Sequence, residues 1–358
     1  MHIEEELKNF KARLDPKLSA YFDTVLENAS QEDDLVSEAL GHAKDIVLAG
    51  GKRLRAAFMY WGYLGAGGTE EDDILEAAMS VELIHAFLLV HDDIIDRDEI
   101  RHGVQTLHKR YADFGKRFFP ESDTDHFGNS IAIIMGDMLY SFGNDIIFRS
   151  KFPQERIFEA FSRMQTIVSL TVVGQARDIY MEYRREATEE EILRMYKNKT
   201  AKYTVEGPLH LGAILAGAPK ELADGLTAYA VPLGIAFQIQ DDILGVFGTE
   251  ERIGKPIGSD IEEGKITLLV SRVVRDGTAE QKKRLKELLL LGTALTEKDI
   301  EEFRQIVEVT GALEGAKELA AQYIAEGKKA LESLQGKITP RAYDFLFSVA
   351  EYMMKREY

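Results

Sequence analysis

A chain of 358 residues is long enough to bury a large core, as one big domain or two. Its 61 acidic against 44 basic residues leave a formal charge of −17, which argues against nucleic acid or an anionic membrane as the main partner. Without cysteine there is no disulfide framework and no thiolate chemistry, and a reducing cytoplasm suits the chain. The opening MHIEEELKNF lacks the basic start and apolar core of a signal peptide. No uninterrupted apolar run approaches the roughly 20 residues that span a bilayer. The expectation is a soluble cytoplasmic protein with no membrane span.

Apolar residues recur at helical spacing over 17–49, 70–97, 155–183, 188–217 and 221–247, and alternating strand patterns hardly appear. Breaks fall at LAGGKR, LGAGGTEEDD, FGKRFFPESDTDHFGNS, LAGAPKE and FGTEERIGKPIGSDIEEGK. None resembles an interdomain linker, so the reading is one all-α domain over 1–358. In chain order, GGKRLR first sets Lys52, Arg53 and Arg55 in a Gly-rich turn. VELIHAFLLV then marks a helix buried on most sides, and the helix ends in the charged stretch HDDIIDRDEIRHG, with Arg97 and Arg101 just beyond it. His85, Asp92 and Asp96 fall on one face, the two aspartates about 6 Å apart along the axis. An acidic stretch around 113–130 reads as a loop insertion. KNKTAKY brings Lys199, Thr200 and Lys202, and AFQIQDDILGVFG repeats the design of an apolar helix tipped with adjacent aspartates. Lys255 and Lys265 follow in GKPIGSDIEEGK.

Carboxylates one turn apart repel, and buried carboxylates must be paired or bound to metal. One such cluster alone is adequately explained as a wet helix end. Two aspartate-tipped buried helices can face each other and hold hard cations, and oxygen-only ligands favour Mg²⁺ completed by substrate phosphates. A di-iron bundle needs Glu-x-x-His pairs, and Glu206 with His210 lacks that spacing. Each cation alone is an ordinary surface charge; their joint placement beside the acidic clusters supplies phosphate partners. The Walker pattern is absent. The residues therefore point to a helical protein that binds a diphosphate through Mg²⁺ between two aspartate motifs.

The ordered set GGKRLR, VELIHAFLLVHDDIIDRDEIRHG, IMGDMLYSFG, GQARDI, KTAKY, FQIQDDILG and GKPIGSDIEEGKITLLV, from about residue 45 to 270, resembles the trans-isoprenyl diphosphate synthases, also called polyprenyl synthetases. The resemblance implies an isoprenoid synthase-type helical bundle around a deep apolar cavity, usually a homodimer. It implies that an allylic diphosphate ionises, isopentenyl diphosphate attacks the cation at C1, and a proton leaves. By the same resemblance Asp92, Asp96 and Asp241 bind Mg²⁺, three ions with substrate present, with Asp93 and Asp242 supporting them. Arg101, Lys199 and Lys255 hold the allylic diphosphate, with Gln175, Asp178 and Lys265 nearby. Lys52, Arg55 and His85 hold isopentenyl diphosphate, and Lys199, Thr200 and Gln238 face the developing cation.

The chain departs from the family pattern at several points. His102 stands where a second arginine is usual, which implies weaker, pH-sensitive isopentenyl diphosphate binding near the ordinary imidazole pKa of about 6.5. Gly245 replaces the last aspartate of the second motif, and Ala56 a common proline. Phe87 five positions before the first motif, Leu88 four before it and the compact DDIID resemble archaeal-type geranylgeranyl diphosphate synthases, implying a C20 product with C15 as the alternative. A terpene cyclase would not need GGKRLR, and a non-catalytic subunit of a heteromeric synthase would commonly lack the aspartates.

Overall fold

The computed structural model describes residues 2–248 and 257–354. Helix α1 (Ile3–Glu32) buries Leu7, Phe10, Leu14, Leu18 and Phe22, a stripe at three- and four-residue intervals that begins well before residue 17 and continues through Pro16. Helix α2 (Asp34–Ala49) is capped by Asp33, whose carboxylate accepts the Val36 N–H at 3.0 Å. The Gly-rich turn leads into α3 (Leu54–Gly65), and α4 (Glu71–Asp96) follows as the nearly all-round apolar helix expected from the sequence.

Two strands of two residues each, β1 (Ile100–Arg101) and β2 (Val104–Gln105), form an antiparallel hairpin that the sequence reading did not anticipate. Its turn residues His102 and Gly103 both have positive φ, 51° and 78°, matching the twist that two-residue hairpin loops require. Helices α5 (Leu107–Phe118) and α6 (Thr124–Phe148) then correct the expected loop over 113–130. Only 119–123 lies between them, because Asp123 caps α6 through the His126 N–H at 3.0 Å and Phe114, Phe118, Phe119 and Phe127 pack their rings together.

Helix α7 (Gln154–Arg184) runs for 31 residues, and α8 (Glu189–Tyr196) opens on a reciprocal Thr188–Glu191 capping box. Lys197–Glu206 is a π-helix, continued by α9 (Gly207–Ala216); helix α10 (Lys220–Phe247) follows. The described chain closes with α11 (Ser259–Glu262), α12 (Leu268–Asp276), α13 (Ala279–Leu288), α14 (Glu297–Val309), α15 (Ala312–Glu332) and α16 (Pro340–Met354). α4 packs on α6, α10 on α15 and the π-helix, and α3 on α9. This layering brings the C-terminal ends of α4 and α10 to the same end of the bundle, where Lys265 reaches Asp96 at 3.1 Å and Asp260 at 3.6 Å.

One exclusion made from sequence needs correction. By length and composition α4, α6 and α10 are each apolar enough to cross a membrane, because isolated polar and small residues interrupt the runs without lowering the average. The bundle covers 67% and 56% of the apolar windows of α4 and α10 but only 39% of that of α6.

Candidate active site

A cavity of about 430 Å³ opens between the Gly50–Arg55 turn, α4, the hairpin and the two ends of the chain, represented by Leu7 and Tyr352. Lys52, Arg55, His85, Arg101 and His102 all line it. Arg53, with φ of 54°, also lines the cavity and locks the turn: it donates to Asp15 at 2.7 Å, to the Val47 carbonyl at 2.7 Å and to Glu82 at 3.2 Å. Glu82 in turn accepts the Ala56 N–H at 3.2 Å, a donor that a proline at position 56 would lack.

Arg55 is aimed by the groups around it. Its guanidinium donates to His85 Nε2 at 3.1 Å and Thr204 at 3.0 Å and lies 4.8 Å over the Tyr203 ring. Burial, followed by Arg55, Arg101, Arg53 and His102, holds the His85 imidazole well below its ordinary pKa, so the ring is neutral. Among the described residues nothing pairs with the buried His85 Nδ1 and Arg55 Nε, two donors that suit an anionic ligand. Lys52 contacts the Tyr352 hydroxyl, and its ammonium lies 4.8 Å from that ring. The His102 ring lies against Gly50. Burial and the charges of Arg101, Arg53 and Lys11 lower its pKa, which corrects the expected titration near 6.5.

Arg101, expected beside an allylic diphosphate, lies on the wall of this same cavity, with its guanidinium on Asp93 and, at 3.0 Å, on Asp98. Asp93 is therefore turned toward Arg101 and the protein interior. Burial pulls the Arg101 pKa down, and Asp93 outweighs it.

Behind the tip of α4, Lys199 donates to Asp178 of α7 at 2.7 Å. Lys265 sits among Asp96, Asp260 and Glu263. Both lysines keep their charge: burial opposes it, and Asp178 with Asp92 for Lys199, and Asp260, Asp96 and Glu263 for Lys265, raise each pKa above the ordinary lysine range. Burial pushes the Asp92 carboxyl upward, Lys199 pulls the other way, and the Asp96 charge adds to the push. Asp92 accepts no hydrogen bond from the described residues, and Gln175 Oε1 is buried without a partner.

Lys199 and Thr200 owe their positions to the π-helix, which is wedged between α7 and α10 at two glycines. A Cβ on Gly174 would stand 2.5 Å from the Lys199 nitrogen, and one on Gly234 would stand 2.4 Å from the Ala201 Cα. Thr200 donates to Gln238 Oε1 at 2.6 Å, Gln238 Nε2 donates to Asp242 at 2.8 Å, and the Tyr196 hydroxyl donates to the other Asp242 oxygen. Asp178, Lys199, Gln238, Asp242, Asp260 and Lys265 share a second cavity of about 70 Å³. Burial and Asp260 push the Asp242 carboxyl up to about 8, with the Tyr196 and Gln238 hydrogen bonds opposing and Asp241 adding. A Cβ on Gly245 would meet Asp260 Oδ2 at 2.9 Å, so a carboxylate from another segment stands beside the position that lacks one. Lys255 lies outside the described residues.

Among the described residues no three His, Asp or Glu side chains converge as a closed metal site. The donors that are present, Asp92 and Asp96 one turn apart on α4 and Asp241 on α10, are hard oxygens, and the buried ammonium groups of Lys199 and Lys265 lie beside Asp92 and Asp96. That set fits Mg²⁺ whose remaining ligands are phosphate and water. Phe87 is half-buried on the α6 side of α4, with its ring 4.9 Å from His91 and 5.1 Å from Tyr140, whose hydroxyl is bonded to Gln165. Leu88 is also half-buried, with Ile84 and Val81 buried further down the helix. Tyr196, Tyr203, Asp260 and Tyr352 were missed by the sequence reading; SDIEEGK flagged the neighbourhood of Asp260, and nothing local flags Tyr352.

The polyprenyl synthetase family model matches residues 37–308. A geranylgeranyl diphosphate synthase of Methanosarcina mazei is 33% identical over 358 residues, covering 100% of this chain and 99% of that protein. A geranylfarnesyl diphosphate synthase of Natronomonas pharaonis is 31% identical, covering 87% of each. Among solved structures, a geranylgeranyl pyrophosphate synthase of Corynebacterium glutamicum complexed with isoprenyl diphosphate and magnesium superposes with a TM-score of 0.92 at 31% identity, covering 98% and 99% of the two chains.

Proposed function

The chain belongs to the polyprenyl synthetase family and is a prenyltransferase, and we propose that as one domain over 1–358 it condenses isopentenyl diphosphate with an allylic diphosphate to a C20 product, geranylgeranyl diphosphate. The allylic substrate is dimethylallyl, geranyl or farnesyl diphosphate. The observation that carries this reading is the pair of buried ammonium groups, Lys199 held by Asp178 of α7 and Lys265 held by Asp96 of α4, beside a cavity lined by Lys52, Arg55 and His85.

Asp92, Asp96 and Asp241 would hold the magnesium, three ions in all with substrate bound. Bound Mg²⁺ supplies Lewis-acid stabilisation of the departing diphosphate. Lys199, Lys265 and Arg101 take its remaining charge, with Asp178 holding Lys199 and Gln175 nearby; Lys255 belongs to the same assignment. Lys52, Arg55, His85 and His102 hold isopentenyl diphosphate in the larger cavity. The C–O bond of the allylic substrate breaks, Thr200, Gln238 and the Lys199 backbone turn dipoles toward the developing cation, and the isopentenyl double bond attacks its C1 before a proton is lost. Magnesium, isopentenyl diphosphate and each allylic primer, with product length read by chromatography, test the reading. No chain elongation with any primer overturns it.

The C20 assignment is supported by the aromatic wall of Phe87 and Tyr140 and by the geranylgeranyl-producing relatives, while the geranylfarnesyl relatives make C25 the first competitor. Phe87→Ala should lengthen the product of a folded enzyme; an unchanged distribution removes Phe87 as the floor. A homodimer is supported by α6 and α7, which leave Ile133, Ile134, Phe158, Val172 and Val173 exposed. Light scattering on Ile134→Glu, expected to be monomeric, tests it.

A further inference from the structure

We propose that Tyr196 is a positioning residue whose hydroxyl sets the orientation of Gln238 and Thr200, the uncharged groups that face the ionising substrate. The inference rests on the prenyl-transfer reading above and adds a residue to it.

Tyr196 is the last residue of α8, at the seam where the backbone changes to the π-helix, and is 1% exposed. Its hydroxyl donates to one oxygen of Asp242 and accepts the Leu268 N–H at 3.0 Å, one of the free amides opening α12. One phenol thus ties α8, α10 and α12 together at a buried point. The other Asp242 oxygen accepts the Gln238 amide N–H at 2.8 Å, and Gln238 Oε1 accepts the Thr200 hydroxyl at 2.6 Å.

The donors in this chain all run one way. A primary amide has two orientations that differ by a half-turn, and both fit the same space. With Asp242 accepting from Tyr196 and from the amide on one side and the Thr200 hydroxyl donating on the other, only one of them satisfies every group: nitrogen to Asp242, oxygen to Thr200. The Thr200 hydrogen is then committed to Gln238, leaving the threonine oxygen lone pairs for the cavity. That polarity suits a developing carbocation, and the opposite orientation would present a hydrogen to it. Asp242 can impose the order only while its own plane is fixed, and Tyr196 supplies one of its two side-chain donors. Without the hydroxyl, the carboxylate turns, Gln238 loses its fixed partner, and the hydroxyl hydrogen of Thr200 is released.

Tyr196→Phe removes one oxygen and keeps the ring that fills the core. Because it acts on the ionisation step and not on either diphosphate, kcat should fall about 10- to 100-fold, the range for groups that orient active-site residues, with both KM values within about threefold. Two readouts separate this from a packing role. Tyr196→Phe should slow a Thr200→Val background by a clearly smaller factor than it slows the wild type, because part of its effect passes through the Thr200 hydroxyl. Replacing geranyl diphosphate by its 2-fluoro analogue, which destabilises the cation, should slow the variant by a larger factor than the wild type. A kcat within twofold of wild type, multiplicative effects in the double variant, or equal fluorine sensitivity would overturn the role of Tyr196. Wild-type protein that does not elongate, or is insensitive to the fluorine, would instead overturn the prenyl-transfer reading. Should Tyr196→Phe not fold, 3-fluorotyrosine at position 196 keeps the packing and strengthens the donor; an unchanged kcat there also overturns the proposal.

Discussion

The tips of α4 and α10 carry the same dipeptide, and in both the second aspartate turns back into the protein. Asp93 meets a guanidinium, Arg101, which is itself shared with Asp98. Asp242 meets a phenol and an amide, and its carboxyl rises to about 8 through burial and the charge of Asp260, against those two donors. One buried carboxyl group is balanced by an opposite charge, and the other, among the described residues, is met by dipoles. Adjacent aspartates therefore announce where a polar helix tip lies, and the partners brought by tertiary structure decide what each carboxylate does there.

The comparison breaks most visibly at the forward-facing residues. Asp92→Ala should lower condensation by about 10²- to 10³-fold, the scale of losing one preorganised electrostatic partner, in a protein whose circular dichroism is unchanged; activity within a few-fold of wild type refutes the assignment. The backward-facing pair gives the next largest contrast. Asp93→Asn leaves Arg101 buried with half its partnership, and chemical denaturation should show a loss of about 3 kcal/mol. Asp242→Asn disturbs only uncharged donors and should cost about 1 to 2 kcal/mol. Equal losses would mean that Arg101 does not distinguish the two motifs.

Gly245→Asp sharpens the contrast from the other side. Restoring the family's usual residue puts a Cβ 2.9 Å from Asp260 Oδ2 and a second carboxylate beside it, so melting temperature should fall, and Asp260→Gly in the same protein should recover it. An unaffected melting temperature for Gly245→Asp would show that Asp260 yields freely. The smallest effect belongs to His102, on the hairpin beyond the first motif. Its folded pKa lies below 6.5, so the stability contributed by its neutral form is present above that value and is lost as pH falls through the lower folded value. Above pH 6.5 the neutral ring therefore predominates, and His102→Arg should lower the isopentenyl diphosphate KM several-fold, by a factor that changes little between pH 7 and 8. A factor that grows steadily with pH there would mean the imidazole titrates in the site.

The helices and their aspartate tips were legible because burial and helical period are both written into adjacent residues. Contacts separated by long stretches of chain were not. Tyr352 reaches Lys52 across 300 positions, and Asp260 fills the place beside Gly245 from a different element. The hairpin escaped notice because two-residue strands have no alternation to read, although a turn signal stood in His102–Gly103. The segment 113–130 misled because acidic and aromatic residues were read as a loop, where Phe114 and Phe127 in fact seal the contact of α5 with α6. Nor could 188–217 reveal that ten of its residues are π-helical, since a shift of hydrogen-bond register leaves no mark on composition.

That register shift makes chain length between α8 and α9 a functional quantity. Each residue advances an α-helix by about 100°, so deleting a single residue from Lys197–Glu206 would let the wound-out turn tighten and rotate one flank against the other. Helical content would barely change, and circular dichroism would record a healthy protein. Lys199, however, would be carried round toward the packing surface of a neighbouring helix. When sequences of such proteins are compared, a one-residue gap placed in this stretch is therefore as serious a difference as the replacement of the lysine itself.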